Sequence, residues 1–198
     1  MIIHNVEQGT EEWLNLRLGV PTASRFKDIY TSTGKASTSV TTYMHQLLAE
    51  TVAGKSIETY SNKWMERGTE MEAEARGYYE LIRDVEVEQV GFVLNDLAGC
   101  SPDGLTDRGG VEIKCPKAET HIKYLLGGKC PAEYFPQVQG CMWLCERQEW
   151  DFISYHPDLP QFILTVYRDD KWLDGLKAEL EKLHKKMNEF LEKLKNAN

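Results

Sequence analysis

No stretch of the 198-residue chain approaches the ~18 consecutive apolar residues of a membrane-crossing helix, so no membrane partner is expected. The opening residues, Met1-Ile2-Ile3-His4-Asn5, lack a basic segment followed by an apolar one, which sets the expectation of a cytoplasmic protein. Cysteine is scarce: five residues, at 100, 115, 130, 141 and 145, make an odd count that favours reduced thiols over a disulfide framework. Cys141 and Cys145 would share one helix face, as cluster ligands can, but no second tight pair completes a set of four, and ordinary buried thiols are expected. Positive charge is also in deficit: 23 Lys and Arg against 31 Asp and Glu give −8, which argues against a general polyanion binder. Repeats, low-complexity tracts and Pro/Gly-rich linkers are missing, so residues 1–198 read as one domain, long enough to bury a core without staples.

The charge is unevenly spread. Residues 169–198 hold seven acids and seven bases, so the whole −8 lies in residues 1–168, and residues 57–88 alone hold nine acids and four bases. A locally acidic segment near a cleft repels DNA or holds cations, and only the second helps an enzyme of phosphate chemistry.

Periodicity predicts a short helix over Glu11 to Leu18, capped by Thr10 and ended by Gly19 and Pro21, with Trp13 and Leu16 inward. A second helix places Tyr43, Met44, Leu47, Leu48 and Val52 on one stripe and stops at Gly54. A third, Glu66 to Ile82, would bury Met71, Ala75, Tyr78, Tyr79 and Ile82, with Glu72 in its second turn. Alternation predicts strands over 85–94, 98–101 and 110–115, then 150–155 and 162–167 after a helix over Tyr134 to Cys145. The final helix, Lys171 to Lys195, carries Leu173, Leu176, Leu180, Leu183, Met187, Phe190 and Leu194, a stripe for the sheet or for a subunit contact.

Residues two apart on a strand face one side, so Glu112 and Lys114 share a face expected to be an exposed reaction centre, while Val111, Ile113 and Cys115 point into the core. Asp103 stands in a turn-like setting between Pro102 and Gly104, and a hairpin over 98–115 would bring its carboxylate beside Glu112. Converging carboxylates repel unless a cation lies between them, and magnesium is held by one or two carboxylates, waters and phosphate oxygens. Such an ion activates water and offsets charge on a transferring phosphate. Lys114 would orient the nucleophile and stabilise developing negative charge. An acid-x-Lys strand and an Asp-Gly turn are each frequent on solvated surfaces, so the pattern needs its context.

Pro102-Asp103 followed by Glu112-Ile113-Lys114 resembles the core motif of the restriction-endonuclease-like nuclease superfamily. Gln8-Gly9, Trp13, Leu16-Arg17-Leu18-Gly19 and Thr22-Ala23-Ser24 resemble the amino-terminal signature of the lambda exonuclease family, the YqaJ-type viral recombinases. The resemblance continues in order through Leu47-Leu48-Ala49-Glu50, Arg67-Gly68 to Glu72, Cys100 to Leu105, Glu112 to Pro116, Leu126-Gly127-Gly128, Gln137-Val138-Gln139 and Met142-Trp143. It implies an α/β (α+β) fold: a central mixed β-sheet flanked by helices around a restriction-endonuclease-like core. It implies a Mg2+-dependent exonuclease, with Mn2+ as a substitute, that degrades the 5′-ended strand of double-stranded DNA to mononucleotides. The remaining 3′ single strand would pass to a single-strand annealing protein, the enzyme would form a homotrimer, and its place would be the cytoplasm of a bacterial or phage-infected cell.

By the same resemblance Asp103 and Glu112 ligate the metal, the Ile113 carbonyl adds a ligand, Glu72 is a supporting acid, Lys114 assists the water and Gln137 holds the water or its neighbours. Arg17, Ser24 and Ser101 resemble the pocket for a terminal 5′-phosphate, where a guanidinium fork and hydroxyls suit the dianion. Lys63 and Met65 fall in the segment where the family places an apolar wedge, and Arg67 departs from the aromatic residue of that pattern. Without the resemblance, Glu72 is a solvated helix carboxylate, Gln137 a surface amide, Met65 core filler, and Arg17, Ser24 and Ser101 surface or turn residues. Two other readings stay open: a nicking or iron-sulfur nuclease of the same superfamily using Cys141 and Cys145, and a non-catalytic DNA-binding protein that keeps the fold.

Overall fold

Caps and apolar stripes place most helices where periodicity puts them. A computed structural model of the chain describes residues 1–56 and 63–196, with the main chain alone for residues 63–70. Helix α1 (Glu11–Arg17) starts at Thr10, whose hydroxyl accepts the Trp13 N–H at 3.3 Å, with Glu11 and Glu12 at its positive end. Helix α2 (Val40–Ala53) buries Tyr43, Met44, Leu47 and Leu48 and ends on Gly54 at φ 63°, a left-handed cap that glycine adopts freely. Helix α3 (Lys63–Arg83) buries Ala75 and Tyr79. Val52 and Ile82, expected on the inward stripes, are exposed because each lies in the final turn of its helix, past the packed core.

The strands form two sheets. β1 (Ile2–His4), β2 (Phe92–Leu94) and β3 (Gly99–Cys100) make an antiparallel set in that order. β4 (Gly104–Leu105), β5 (Gly110–Lys114), β6 (Glu149–Ser154) and β7 (Phe162–Tyr167) make the expected mixed sheet, with β5 and β6 parallel and the other neighbours antiparallel. The strand expected over 85–94 contracts to β2. Asp84 turns the chain at φ 51°, the Glu80 carboxylate takes the Val87 N–H at 2.9 Å, and Glu88 meets only Leu105 in an isolated bridge. The expected hairpin over 98–115 divides likewise: β3 pairs back to β2, and only the β4–β5 unit folds on itself, about a turn in which Gly109 N–H donates to the Thr106 hydroxyl at 3.1 Å.

The mixed sheet separates two apolar layers. Trp150 and Phe152 of β6 join the main core with α2, helix α5 (Phe135–Leu144) and helix α6 (Asp170–Asn196). Val111, Ile113 and Ile153, on the alternate positions, pack against Ala75 and Tyr79 of α3. The α6 stripe from Leu173 to Met187 is buried alongside α2 and α5, and Phe190 and Leu194 continue it into solvent. Among the described residues no helix is long and apolar enough to cross a membrane.

Helix α4 (Ala118–Gly127) escapes the periodicity argument because its buried positions are His121 and Tyr124, while Ile122 and Leu126 are exposed. His121 ties it to the sheet, with Nδ1 2.7 Å from the Ser154 hydroxyl and Nε2 2.8 Å from the Pro160 carbonyl oxygen. A 3-10 helix, Ala23–Asp28, was also not foreseen, and α5 lies directly on it. A Cβ at Gly140 would stand 2.4 Å from the ring of the buried Phe26. Gly140→Val is expected to destabilise the protein by about 2 kcal/mol, the overpacking cost exceeding any gain in helix propensity. A urea midpoint equal to or above wild type would refute this close approach.

Candidate active site

The β4–β5 hairpin builds the acidic centre. Asp103 precedes β4, and its Oδ2 accepts the Ile113 N–H of β5 at 2.6 Å, which draws the carboxylate across to the strand that carries Glu112. The turn before β4 is held from outside: Gln8 Nε2 donates to the Pro102 carbonyl at 3.0 Å and to the Val90 carbonyl at 2.9 Å. Glu112 and Lys114 share a strand face, as period two requires, on the side opposite Val111 and Ile113. Lys114 Nζ is 2.5 Å from Glu112 Oε1 and 5.2 Å from the centroid of the Tyr134 ring at the head of α5.

The expectation of an exposed centre is corrected. Glu112 is 0% exposed and Lys114 26%, because this face of β5 turns toward the main core and α5 rather than to solvent. Among the described residues, the buried Glu112 oxygens have no partner beyond the charged contact with Lys114. A buried carboxylate left so is costly unless another group takes up its charge.

Glu72 of α3 joins the same electrostatic cluster and pairs with Arg76 at 2.7 Å. Burial, then the Asp103 charge, pushes the Glu72 carboxyl up to about 7 against the pull of Arg76 and Lys114. Burial also pushes Glu112 up to about 7, with Lys114 opposing and Asp103 and Glu72 adding to the rise. Asp103 is raised by burial, against Lys114, the Ile113 N–H and Arg76. Burial disfavours the Lys114 ammonium, but the Glu112 and Asp103 charges outweigh it and hold the group above its ordinary value.

Beside this cluster lies a cavity of about 170 Å3 that brings together Arg17, Ser24, Ser101 and Gln137, with Gln8, Trp13 and Thr22 in its wall. Arg17 Nη1 donates to the Ser101 hydroxyl at 3.3 Å, and its guanidinium lies 4.1 Å from the Trp13 ring centroid. Trp13 Nε1 donates to the same hydroxyl at 2.8 Å and to the Gly91 carbonyl at 3.2 Å. The Thr22 and Ser24 hydroxyls are 3.3 Å apart. Trp13, read from sequence as an inward-facing apolar residue, is thus a polar anchor of the cavity, and Gln8 and Thr22 were not singled out. Their membership of matching motif stretches was the available signal. The side chains of Lys63 and Met65 lie outside the described residues.

The thiols form their own cluster. Cys100 and Cys145 Sγ are 3.7 Å apart, Cys141 is buried nearby, and burial raises Cys100 well above the usual thiol range. Among the described residues, no three His, Cys, Asp or Glu side chains converge tightly enough to enclose a metal ion. The iron-sulfur reading therefore gains no geometric support. Asp103, Glu112 and Glu72 likewise interact electrostatically as a largely buried group of hard oxygen donors without closing into a ready-made cation cage.

The raised carboxyl groups give stability a definite slope. With a folded-state value near 7 against an ordinary 4.5, Glu112 binds its proton more tightly when folded, so its ionisation opposes folding. That contribution is harmless below pH ~4.5 and grows until pH ~7, reaching on the order of 3 kcal/mol by linkage. In chelator, the melting temperature is expected to fall between pH 5.5 and 8, and Glu112→Gln to remove much of the slope. Identical slopes for the two proteins would count against the buried ionisation.

Residues 12–148 match the YqaJ-like viral recombinase domain. The chain is 35% identical to an alkaline exonuclease (LHK-Exo) of Laribacter hongkongensis over 95% of this chain and 97% of that one, with a TM-score of 0.86. It is 36% identical, at the same coverage and a TM-score of 0.85, to LHK-Exo solved in complex with dAMP. A phage-related exonuclease of Haemophilus somnus, 16% identical over 88% of this chain and 96% of that one, shares the fold at a TM-score of 0.68. An uncharacterized protein of Acanthamoeba polyphaga mimivirus is 26% identical over 170 residues, 77% of this chain, which spans only 30% of that relative's length. The chain belongs to the YqaJ-like viral recombinase family.

Proposed function

We propose that the protein is a Mg2+-dependent 5′-to-3′ exonuclease of double-stranded DNA that releases mononucleotides and leaves a 3′ single strand. The observation that carries the reading is the buried Glu112 carboxylate, which among the described residues has no partner but Lys114 and which feels the Asp103 charge. The oxygen donors suit a hard divalent cation, so Asp103 and Glu112 would hold Mg2+ or Mn2+, with Glu72 and the Ile113 carbonyl as further donors. Bound there, the ion supplies an activated water and offsets charge on the scissile phosphate.

The chain's own groups do the rest. The Lys114 ammonium, fixed between Glu112 and the Tyr134 ring, orients the attacking water and stabilises the charge that develops on the phosphate. Arg17, Ser24 and Ser101 hold the terminal 5′-phosphate, with Arg17 kept in place by the Trp13 ring. Ser101 and Asp103 are separated by Pro102 alone, so an end gripped at the cavity presents the adjoining phosphodiester to the carboxylates. Gln137, in the cavity wall, holds the water or the terminal phosphate. Lys63 and Met65 would touch the DNA ahead of the cut. A homotrimer around the duplex and transfer of the 3′ strand to a single-strand annealing protein complete the reading.

The test uses end-labelled duplexes with and without a 5′-phosphate, incubated with Mg2+, Ca2+ or chelator. The phosphorylated 5′ strand is expected to shorten in Mg2+ only. Lys114→Ala should cost about 100-fold or more in turnover, measured at a temperature where the variant is folded, and should also lower the melting temperature by leaving the buried Glu112 carboxylate without its partner. Arg17→Ala should erase the preference for phosphorylated ends. Undiminished cleavage by the Lys114 variant would end the mechanism.

A further inference from the structure

Arg76 stands on α3 one helical turn beyond Glu72, with its side chain only 12% exposed. Its guanidinium reaches three parts of the chain. Nη2 donates to Glu72 Oε1 at 2.7 Å, and Nε donates to the main-chain carbonyl of Asp103 at 3.3 Å. With the Gln89 amide oriented so that its oxygen accepts, Nη1 and Nη2 donate to it at 3.0 and 3.1 Å. One side chain therefore joins α3, the turn that carries Asp103, and the irregular run ahead of β2.

A Glu–Arg pair four apart on a helix is ordinarily a surface device of small stabilising effect. Two facts separate Arg76 from that case. The side chain is largely withdrawn from solvent, and two of its three partners lie off the helix. A planar fork of five donors in fixed directions can hold acceptors several ångströms apart, whereas a lysine offers three rotatable donors on one atom. Asp103 is consequently held twice, at its carbonyl by Arg76 and at Oδ2 by the Ile113 N–H. The guanidinium charge also offsets the repulsion among Glu72 and Asp103.

We infer that Arg76 is a positioning residue for the divalent-cation site, fixing the Glu72 carboxylate and the Asp103 main chain so that both acids approach the ion together. The inference rests on the cation reading given above. Outer groups that orient metal ligands typically contribute 10–100-fold to metal affinity.

The experiment titrates Ca2+ and Mg2+ calorimetrically into wild type, Arg76→Ala and Arg76→Lys, and records melting in chelator and the Mg2+ dependence of cleavage. Arg76→Ala is expected to bind both ions about 10–100-fold more weakly and to need correspondingly more Mg2+, with the KM for DNA unchanged. Arg76→Lys, which keeps the charge and loses the fork, should recover only part of the affinity. Lowered melting with wild-type cation affinity in both variants would make Arg76 merely structural and overturn the inference alone. A wild-type protein that takes up neither ion would overturn the nuclease reading and this inference with it.

Discussion

The hydrogen bond from the Ile113 N–H to Asp103 Oδ2 is the contact on which the acidic centre depends. It spans a two-stranded hairpin, converts a turn residue into a strand neighbour, and gathers negative charge where Glu112 is already cut off from water. Everything nearby answers that concentration of charge. Lys114 pairs with Glu112, Arg76 with Glu72, and Tyr134 lends the electron-rich face of its ring to the ammonium. The result is a locally costly arrangement that a stable β5–β6 core supports and that an incoming cation would relieve.

The two sides of the mixed sheet divide the labour. On the α3 side, Val111, Ile113 and Ile153 form an apolar floor that keeps β5 in register. On the α5 side, Glu112 and Lys114 project toward a helix that also carries Gln137 and packs on the 3-10 helix of Ser24. Acidic cluster and cavity are thus neighbours because one helix borders both.

Much of this was legible in the residues, and the failures are physical. Period two assigned Glu112 and Lys114 to one face, but their depth depends on α5 and Tyr134, some twenty residues away in sequence. The apolar alternation of Val85, Val87 and Val90 was real and was produced by burial in an irregular run rather than by a strand. Helix α4 was hidden because a histidine and a tyrosine occupy its buried stripe. Arg76 was invisible because its informative partners, a main-chain carbonyl and a distant glutamine, leave no trace in local spacing.

The bare backbone at Gly140 has one more consequence. No side chain separates α5 from the Phe26 ring of the 3-10 helix, so the two elements that carry Gln137 and Ser24 pack in direct contact. The spacing of their main chains in the cavity wall is consequently set by that close approach. Substitutions along the cavity wall would therefore change its chemistry while the main chains that frame it keep their spacing.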